Sequence, residues 1–348
     1  MRLLLATDAW HPQVNGVVRT LSQMVEQLRQ QGHEVEVVAA GDYPSVPLPT
    51  YAEIRISVWL RGLTRRIEEF APDAIHISTE GPIGQFVRRF CLKRGYVFTT
   101  SFHTRFPEYI SERVPIPLEW TYPFVRSFHR PAFRTLVPTQ NLVNELRQRD
   151  FEHLVVWGRG VDTELFQPQR QRDLGLPGPV LLNVGRVAPE KNLQAFLDID
   201  FPGSKVVVGD GPQLAELKRK YPDVHFPGMK QGVELAEYFA SADVFVFPSR
   251  TDTFGLVMLE AAASGTPVAA YPVTGPVDVL APGKTGVMHE DLAVAVEQAL
   301  QLDRESCRAH ALQHAWPAIA QQFLDALMPI NSDKAGDVYQ AQHRLNLA

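Results

Sequence analysis

Short apolar runs and longer amphipathic stretches alternate along almost the whole chain. Leu3–Thr7, Val35–Ala39, Ala74–Ile77, Tyr96–Thr100, Val180–Val184, Lys205–Val208, Val244–Phe247 and Val268–Tyr271 are each four or five residues long and mostly apolar. Runs of that length predict strands covered on both faces, as in a parallel sheet. Helices are expected between them, from about Arg19 to Gln30, Thr64 to Phe70, Gly84 to Lys93, and Glu234 to Ala240, with another from its N-cap Thr139 to Arg149. Leu292 to Leu302 and Arg308 to Leu327 predict two more, and the proline-rich residues 42–60 read as loop with an edge strand, Glu53–Ile56. Strand–helix alternation predicts an α/β fold, and the segment Phe166–Pro179 reads as a linker between two such series.

One stretch, Ala242–Val268, organises the rest. It reads as strand (Val244–Phe247), loop, helix and strand, with Pro248 stopping the first strand and Gly265 and Pro267 closing the helix. Thr253 is the expected N-cap. The helix is apolar nearly all round, yet Glu260 lies within it, on the face of the helix start two turns earlier, and Asp252 stands at the entrance. A buried carboxylate must be matched by donors. Those are either a neighbouring Lys or Arg, or the hydroxyls of a ligand whose anionic part sits on the helix N-terminus. Gly255, within Phe254-Gly255-Leu256, lets a ligand approach the backbone closely.

Ligands of parallel sheets bind beyond the carboxyl ends of the strands. Three further groups of residues fall there. Trp10 to Val18, containing Asn15-Gly16, follows the first strand; it lacks the spaced glycines of a dinucleotide site, and Asn15-Gly16 alone fits a plain turn equally well. His103 ends the run Tyr96-Val97-Phe98-Thr99-Thr100-Ser101-Phe102-His103, where a lone His is more often a structural hydrogen-bonder than a functional group. Arg186 and Lys191 follow Val180–Val184; two cations there suit a diphosphate, one by bidentate contact and one as a point charge, against the alternative of a solvated loop. Gly209 and Gly211 have fingerprint spacing without a third glycine, Gly283–Gly286 reads as a turn, and Asp198-Ile199-Asp200 follows no strand end that would make it a metal site.

These residues carry a resemblance. Asp252-(seven residues)-Glu260, followed by Ala-x-x-x-Gly-x-Pro-Val, is similar to the signature of retaining GT-B glycosyltransferases of family 4, with Asp252 where the family has Glu. Gly185-Arg186 with Glu190-Lys191, Phe102-His103-Thr104 and Gly160-Val161-Asp162 resemble further segments of that family, over residues 1 to about 325. The resemblance implies two Rossmann-like domains facing across a cleft. Residues 1–162 would bind acceptor, completed by a C-terminal helix at about 310–330, and 163–309 would bind donor, leaving 331–348 as a polar tail.

It also implies roles. Asp252 would face the donor sugar, Glu260 the ribose, and Phe254, Gly255 and Leu256 the sugar and diphosphate. Arg186 and Lys191 would hold the diphosphate, Met229 would meet the base through its backbone, and Gly16 would pack against the donor phosphate. Trp10, Asn15 and His103 would border the acceptor, His103 pointing toward the sugar. The implied reaction is hexosyl transfer, with retention, from a UDP- or GDP-linked sugar to a hydroxyl. The departing diphosphate helps take the proton, and neither cofactor nor metal is required. The pattern looks most like members that glycosylate diacylglycerol, sulfolipid synthases and α-mannosyltransferases, so a membrane lipid is the expected acceptor. A cell-surface glycan or lipopolysaccharide precursor is the alternative, and a nucleotide-sugar epimerase of the same fold the rival.

Composition and charge narrow this. Of 348 residues 45% are hydrophobic, 21% are charged and two are Cys, as in a globular protein without a disulfide framework. Lys and Arg outnumber Asp and Glu 19 to 16 through residue 160, and the order reverses, 15 to 23, after it; this disfavours a nucleic-acid binder. Asp8 and Pro12 end the first apolar run too early for a signal peptide, and no apolar run approaches a membrane span. The expected location is cytoplasmic, on the inner membrane face. Between Arg105 and Arg134, seven aromatics mix with Arg113, Arg126, Arg130 and Arg134, which reads either as core with solvated arginines or as a surface that docks on an anionic membrane.

Overall fold

The computed structural model describes residues 1–13, 16–48, 51–57, 59–103, 118–250 and 254–332. Contacts divide the chain into two units, Met1–Gly158 with the chain from Ile319 on, and Arg159–Ala318. The division precedes the sequence boundary at 162 because Val161 belongs to the core of the second unit and its N–H donates to His314 O.

The first unit runs β1 (Arg2–Thr7), α1 (Gly16–Gln30), β2 (Glu34–Ala39), a hairpin of β3 (Ser45–Leu48) and β4 (Tyr51–Ser57), α2 (Leu63–Phe70), β5 (Ala74–Ile77), α3 (Pro82–Arg94), β6 (Thr99–Ser101), α4 (Leu118–His129), β7 (Thr135–Val137), α5 (Gln140–Arg147) and β8 (Leu154–Val156). Its parallel sheet has the order β2-β1-β5-β6-β7-β8. β1 is buried from Leu3 to Thr7, as its continuous apolar run requires, and Thr139 caps α5 by accepting from Leu142 N. β6 is polar yet buried, so its hydroxyls must be paired. His76 bridges Thr99 Oγ1 (2.8 Å) and Ser101 Oγ (2.9 Å) on one face. On the other, Thr100 Oγ1 meets Thr135 Oγ1 (3.0 Å) and His129 Nδ1 (2.9 Å), and His129 Nε2 reaches Glu80 (3.1 Å). Complete burial pushes the His76 pKa down to about 3, so it is a neutral strut.

The second unit runs β9 (Val180–Val184), α6 (Leu193–Leu197), β10 (Ser204–Val208), α7 (Leu214–Lys220), β11 (His225–Gly228), α8 (Gly232–Ser241), β12 (Val244–Phe247), α9 (Leu256–Ala263), β13 (Val268–Ala270), α10 (Pro276–Val279), β14 (Gly286–Met288), α11 (Leu292–Ala299) and α12 (Arg304–Leu312). The sheet order is β11-β10-β9-β12-β13-β14, again all parallel. α13 (Trp316–Ala326) follows. The single helix expected from Arg308 to Leu327 is thus two, because Pro317 has no N–H to continue α12 and is tolerated only in a first turn. Beyond Ala318 the chain packs on the first unit: Trp157 Nε1 donates to Ile319 O, and Phe323 lies edge-on to His76.

Candidate functional site

Each sheet has one point where consecutive connections leave in opposite directions, between β1 and β5 in the first unit and between β9 and β12 in the second. Carboxyl ends part there and form a crevice.

In the second unit the β9–β12 ladder pairs only Leu181 with Val244 and Leu182 with Phe245. Past β9 the chain turns through Arg186, whose side chain is 68% exposed, into a short 3₁₀ turn, Pro189–Lys191. Lys191 ends this 3₁₀ turn, and Asn192 adopts the left-handed region (φ 52°) before α6 begins. A Cβ on Gly209 would come within 1.8 Å of Gly185 O, so the loops after β9 and β10 touch backbone to backbone. The glycine pair read as a weak fingerprint serves this approach.

Past β12, Asp252 and Thr253 lie outside the described residues. Gly255 (φ 80°) precedes α9, and a Cβ there would meet Met258 Cε at 2.6 Å. Glu260 is 4% exposed within α9, while Phe254 and Leu256 are half-buried. Three side chains cross the gap between the two strands. Asn183 Nδ2 donates to Val246 O (3.0 Å), Asn192 Nδ2 to Pro248 O (3.1 Å) and Ser249 Oγ to Glu190 O (3.4 Å). Arg186, Lys191 and the segment entering α9 thus share one edge of one sheet. Met229, 61% exposed, follows β11 two strands away.

In the first unit Trp10 is half-buried after β1, Gly16 opens α1, and Asn15 lies outside the described residues. His103 follows β6 and sits edge-on to Trp157, with ring centroids 5.8 Å apart. Sequence reasoning missed Asp8, at the root of the loop bearing Trp10. Its carboxylate accepts from Thr79 Oγ1 (2.8 Å), Ile83 N (3.0 Å) and Gly84 N (3.4 Å), which closes the start of α3. Burial pushes the Asp8 pKa above the ordinary carboxylate value despite these donors. It also missed Asn192, although an Asn just after a cationic turn is a signal for the left-handed region.

Two family models match, Glycosyltransferase Family 4 over residues 14–165 and Glycosyl transferases group 1 over 178–302. Among curated proteins, the chain is 29% identical to the GDP-mannose-dependent alpha-mannosyltransferase of Mycobacterium tuberculosis, over 93% of this chain and 95% of that one. It is 30% identical to sulfoquinovosyl transferase SQD2 of Arabidopsis thaliana, over 79% of this chain and 61% of that one. It is 29% identical to the alpha-monoglucosyldiacylglycerol synthase of Streptococcus pneumoniae, over 78% and 71%. Among solved structures, sucrose-phosphate synthase from Thermosynechococcus elongatus superposes with a TM-score of 0.70 at 21% identity, covering 93% of this chain and 97% of that one. With two parallel six-stranded sheets and both family models matched, the chain belongs to the family 4, group 1 glycosyltransferases of the GT-B fold.

Proposed function

We propose that this glycosyltransferase moves a hexose, with retention, from a UDP- or GDP-linked sugar to a hydroxyl of a membrane lipid such as diacylglycerol. One observation carries the donor half: Arg186 and Lys191 stand beyond the carboxyl end of β9, and the two neighbours of Lys191, Glu190 and Asn192, are tied by hydrogen bonds to Ser249 and Pro248 beyond β12. A diphosphate held there leaves with its charge already matched, and preorganised charge of this kind lowers the barrier without reorganisation. Its oxygen takes the acceptor proton as the new glycosidic bond forms on the same face, so Asp252 and His103 need only orient the sugar. Glu260 takes the ribose hydroxyls, Met229 borders the base, and Gly16, Trp10 and Asn15 border phosphate and acceptor. No metal or cofactor has a role in this reading. A GDP-mannose-dependent relative covering nearly the whole chain supports a nucleotide-sugar donor.

The acceptor half rests on the relative named for monoglucosyldiacylglycerol and on α4. Trp120 (77% exposed) and Phe124 (59% exposed) stand four residues apart on α4, with Pro123 and Ser127 exposed beside them. Tyr122, Val125 and Phe128 face inward. The expected arginine patch is partly consumed by the fold: Arg126 pairs with Asp150 (2.8 Å), and Arg134 donates to Asp325 O. Docking therefore depends on the aromatic pair. Among the described residues no helix is long and apolar enough to cross a membrane, so contact would be peripheral.

The test is incubation with UDP- and GDP-sugars, with and without diacylglycerol vesicles. Lipid-dependent glycoside formation is expected, along with loss of vesicle flotation in Trp120→Ser/Phe124→Ser. Turnover of donor without acceptor would instead indicate an epimerase, and transfer to soluble glycans alone would overturn the lipid acceptor.

A further inference from the structure

Backbone pairing between β9 and β12 stops at Leu182 and Phe245, where a crevice needs the strands to part. Parting strands leave carbonyl oxygens without ladder partners. Here two asparagine amides take them up, Asn183 Nδ2 on Val246 O and, further out, Asn192 Nδ2 on Pro248 O. Asn183 is buried and lies inside β9, so it extends the sheet. Asn192 is different: it is the residue after Lys191, on the rim, and it holds φ 52°.

We infer that Asn192 is a positioning residue that sets the distance between the cationic turn and the segment entering α9. Both of its properties are needed. The left-handed φ turns the chain from the 3₁₀ turn into α6 and is costly for most side chains, whereas Asn and Gly tolerate it. The amide N–H then fastens that turn to Pro248 O across the gap, and Ser249 Oγ on Glu190 O adds a second tie. Lys191 lies between the two tied residues, Glu190 and Asn192. The backbone that carries its ammonium is thereby fastened to Pro248 and Ser249, which follow β12. The inference rests on the reading that Lys191 binds the donor diphosphate.

Substitutions separate the two properties. Asn192→Gly keeps the φ and removes the amide. Asn192→Asp keeps the shape but turns a carboxylate oxygen on the Pro248 carbonyl. The measurement is titration calorimetry of the full chain with UDP and with GDP, beside steady-state kinetics and thermal unfolding. Asn192→Gly should unfold near the wild-type temperature yet lose about tenfold in nucleotide affinity and in kcat/KM, and Asn192→Asp should lose more. A double-mutant cycle shows whether the effect passes through Lys191. In a Lys191→Ala background, Asn192→Gly should cost almost nothing further. Wild-type affinity in Asn192→Gly, or full additivity with Lys191→Ala, would overturn the positioning role. Unchanged affinity in Lys191→Ala itself would overturn the diphosphate assignment and this inference with it.

Discussion

Both units are six-stranded parallel sheets with one point of reversal, two strands lying to one side of it in the first and three in the second, and they treat that point in opposite ways. In the first, the helix start beside the parting strands is closed by the protein's own carboxylate, Asp8, bonded to Ile83 N and Gly84 N of α3. In the second, Gly255 precedes α9 and has no side chain to cap it. Two cations, Arg186 and Lys191, stand beyond the end of the neighbouring strand β9 instead. A helix N-terminus carries roughly half a positive charge. Asp8 spends that charge inside the first unit and would repel a phosphate, whereas in the proposed function the second unit's helix start would turn it toward a ligand.

The largest effect that sharpens this contrast is expected at the cations. Arg186→Ala and Lys191→Ala should each slow transfer about a hundredfold or more, since each removes charge aimed at the leaving group. Near-wild-type rates and donor affinity in both would break the contrast on the second unit's side. Next comes Gly255→Ala. It forces φ 80° on a side chain whose Cβ meets Met258, so about 1–3 kcal/mol of stability should be lost, read by urea unfolding.

Smaller effects divide the carboxylates. Glu260→Gln fills the same space and should weaken UDP or GDP binding about tenfold, while Asp252→Asn should lower turnover with a lesser effect on nucleotide affinity. Equal losses in both assays would mean that the two do not share the work as assigned.

The smallest effect lies in the first unit. A carboxyl whose pKa is raised by folding holds its proton more tightly in the folded protein. It therefore stabilises the fold in acid, and that contribution is lost as pH climbs from the ordinary carboxylate value through the raised one. Asp8→Asn removes this dependence, so its destabilisation should be larger near about pH 4 than near about pH 7. A gap that widens with pH would show that the charged form is the favoured one.

Much of the second unit was legible because its signals are local. The run from Val244 to Val268 states strand, turn and helix within 25 residues, and Arg186 and Lys191 stand at a strand end that hydropathy alone marks. What stayed hidden is long-range pairing. Asp8 meets residues more than 70 positions away, and His76 and His129 satisfy hydroxyls of β6 that no pattern in the run Tyr96–Thr100 announces. The aromatic segment was visible as composition only. Which rings face out became clear once the 3.6-residue period of α4 separated Trp120 and Phe124 from Tyr122 and Phe128. The break before Trp316 was written in Pro317 but masked by the apolar pattern running through it.

The central claim is that a diphosphate is held at the helix start beside the parting strands of the second unit and not at the α3 start that Asp8 closes in the first. Hydrogen exchange of the full chain with and without UDP or GDP tests it directly. Amides of residues 185–192 and 254–258 should exchange more slowly with nucleotide bound, and those of 79–85, already closed by Asp8, should not change. Slowed exchange at 79–85, with 185–192 unaffected, would contradict the account.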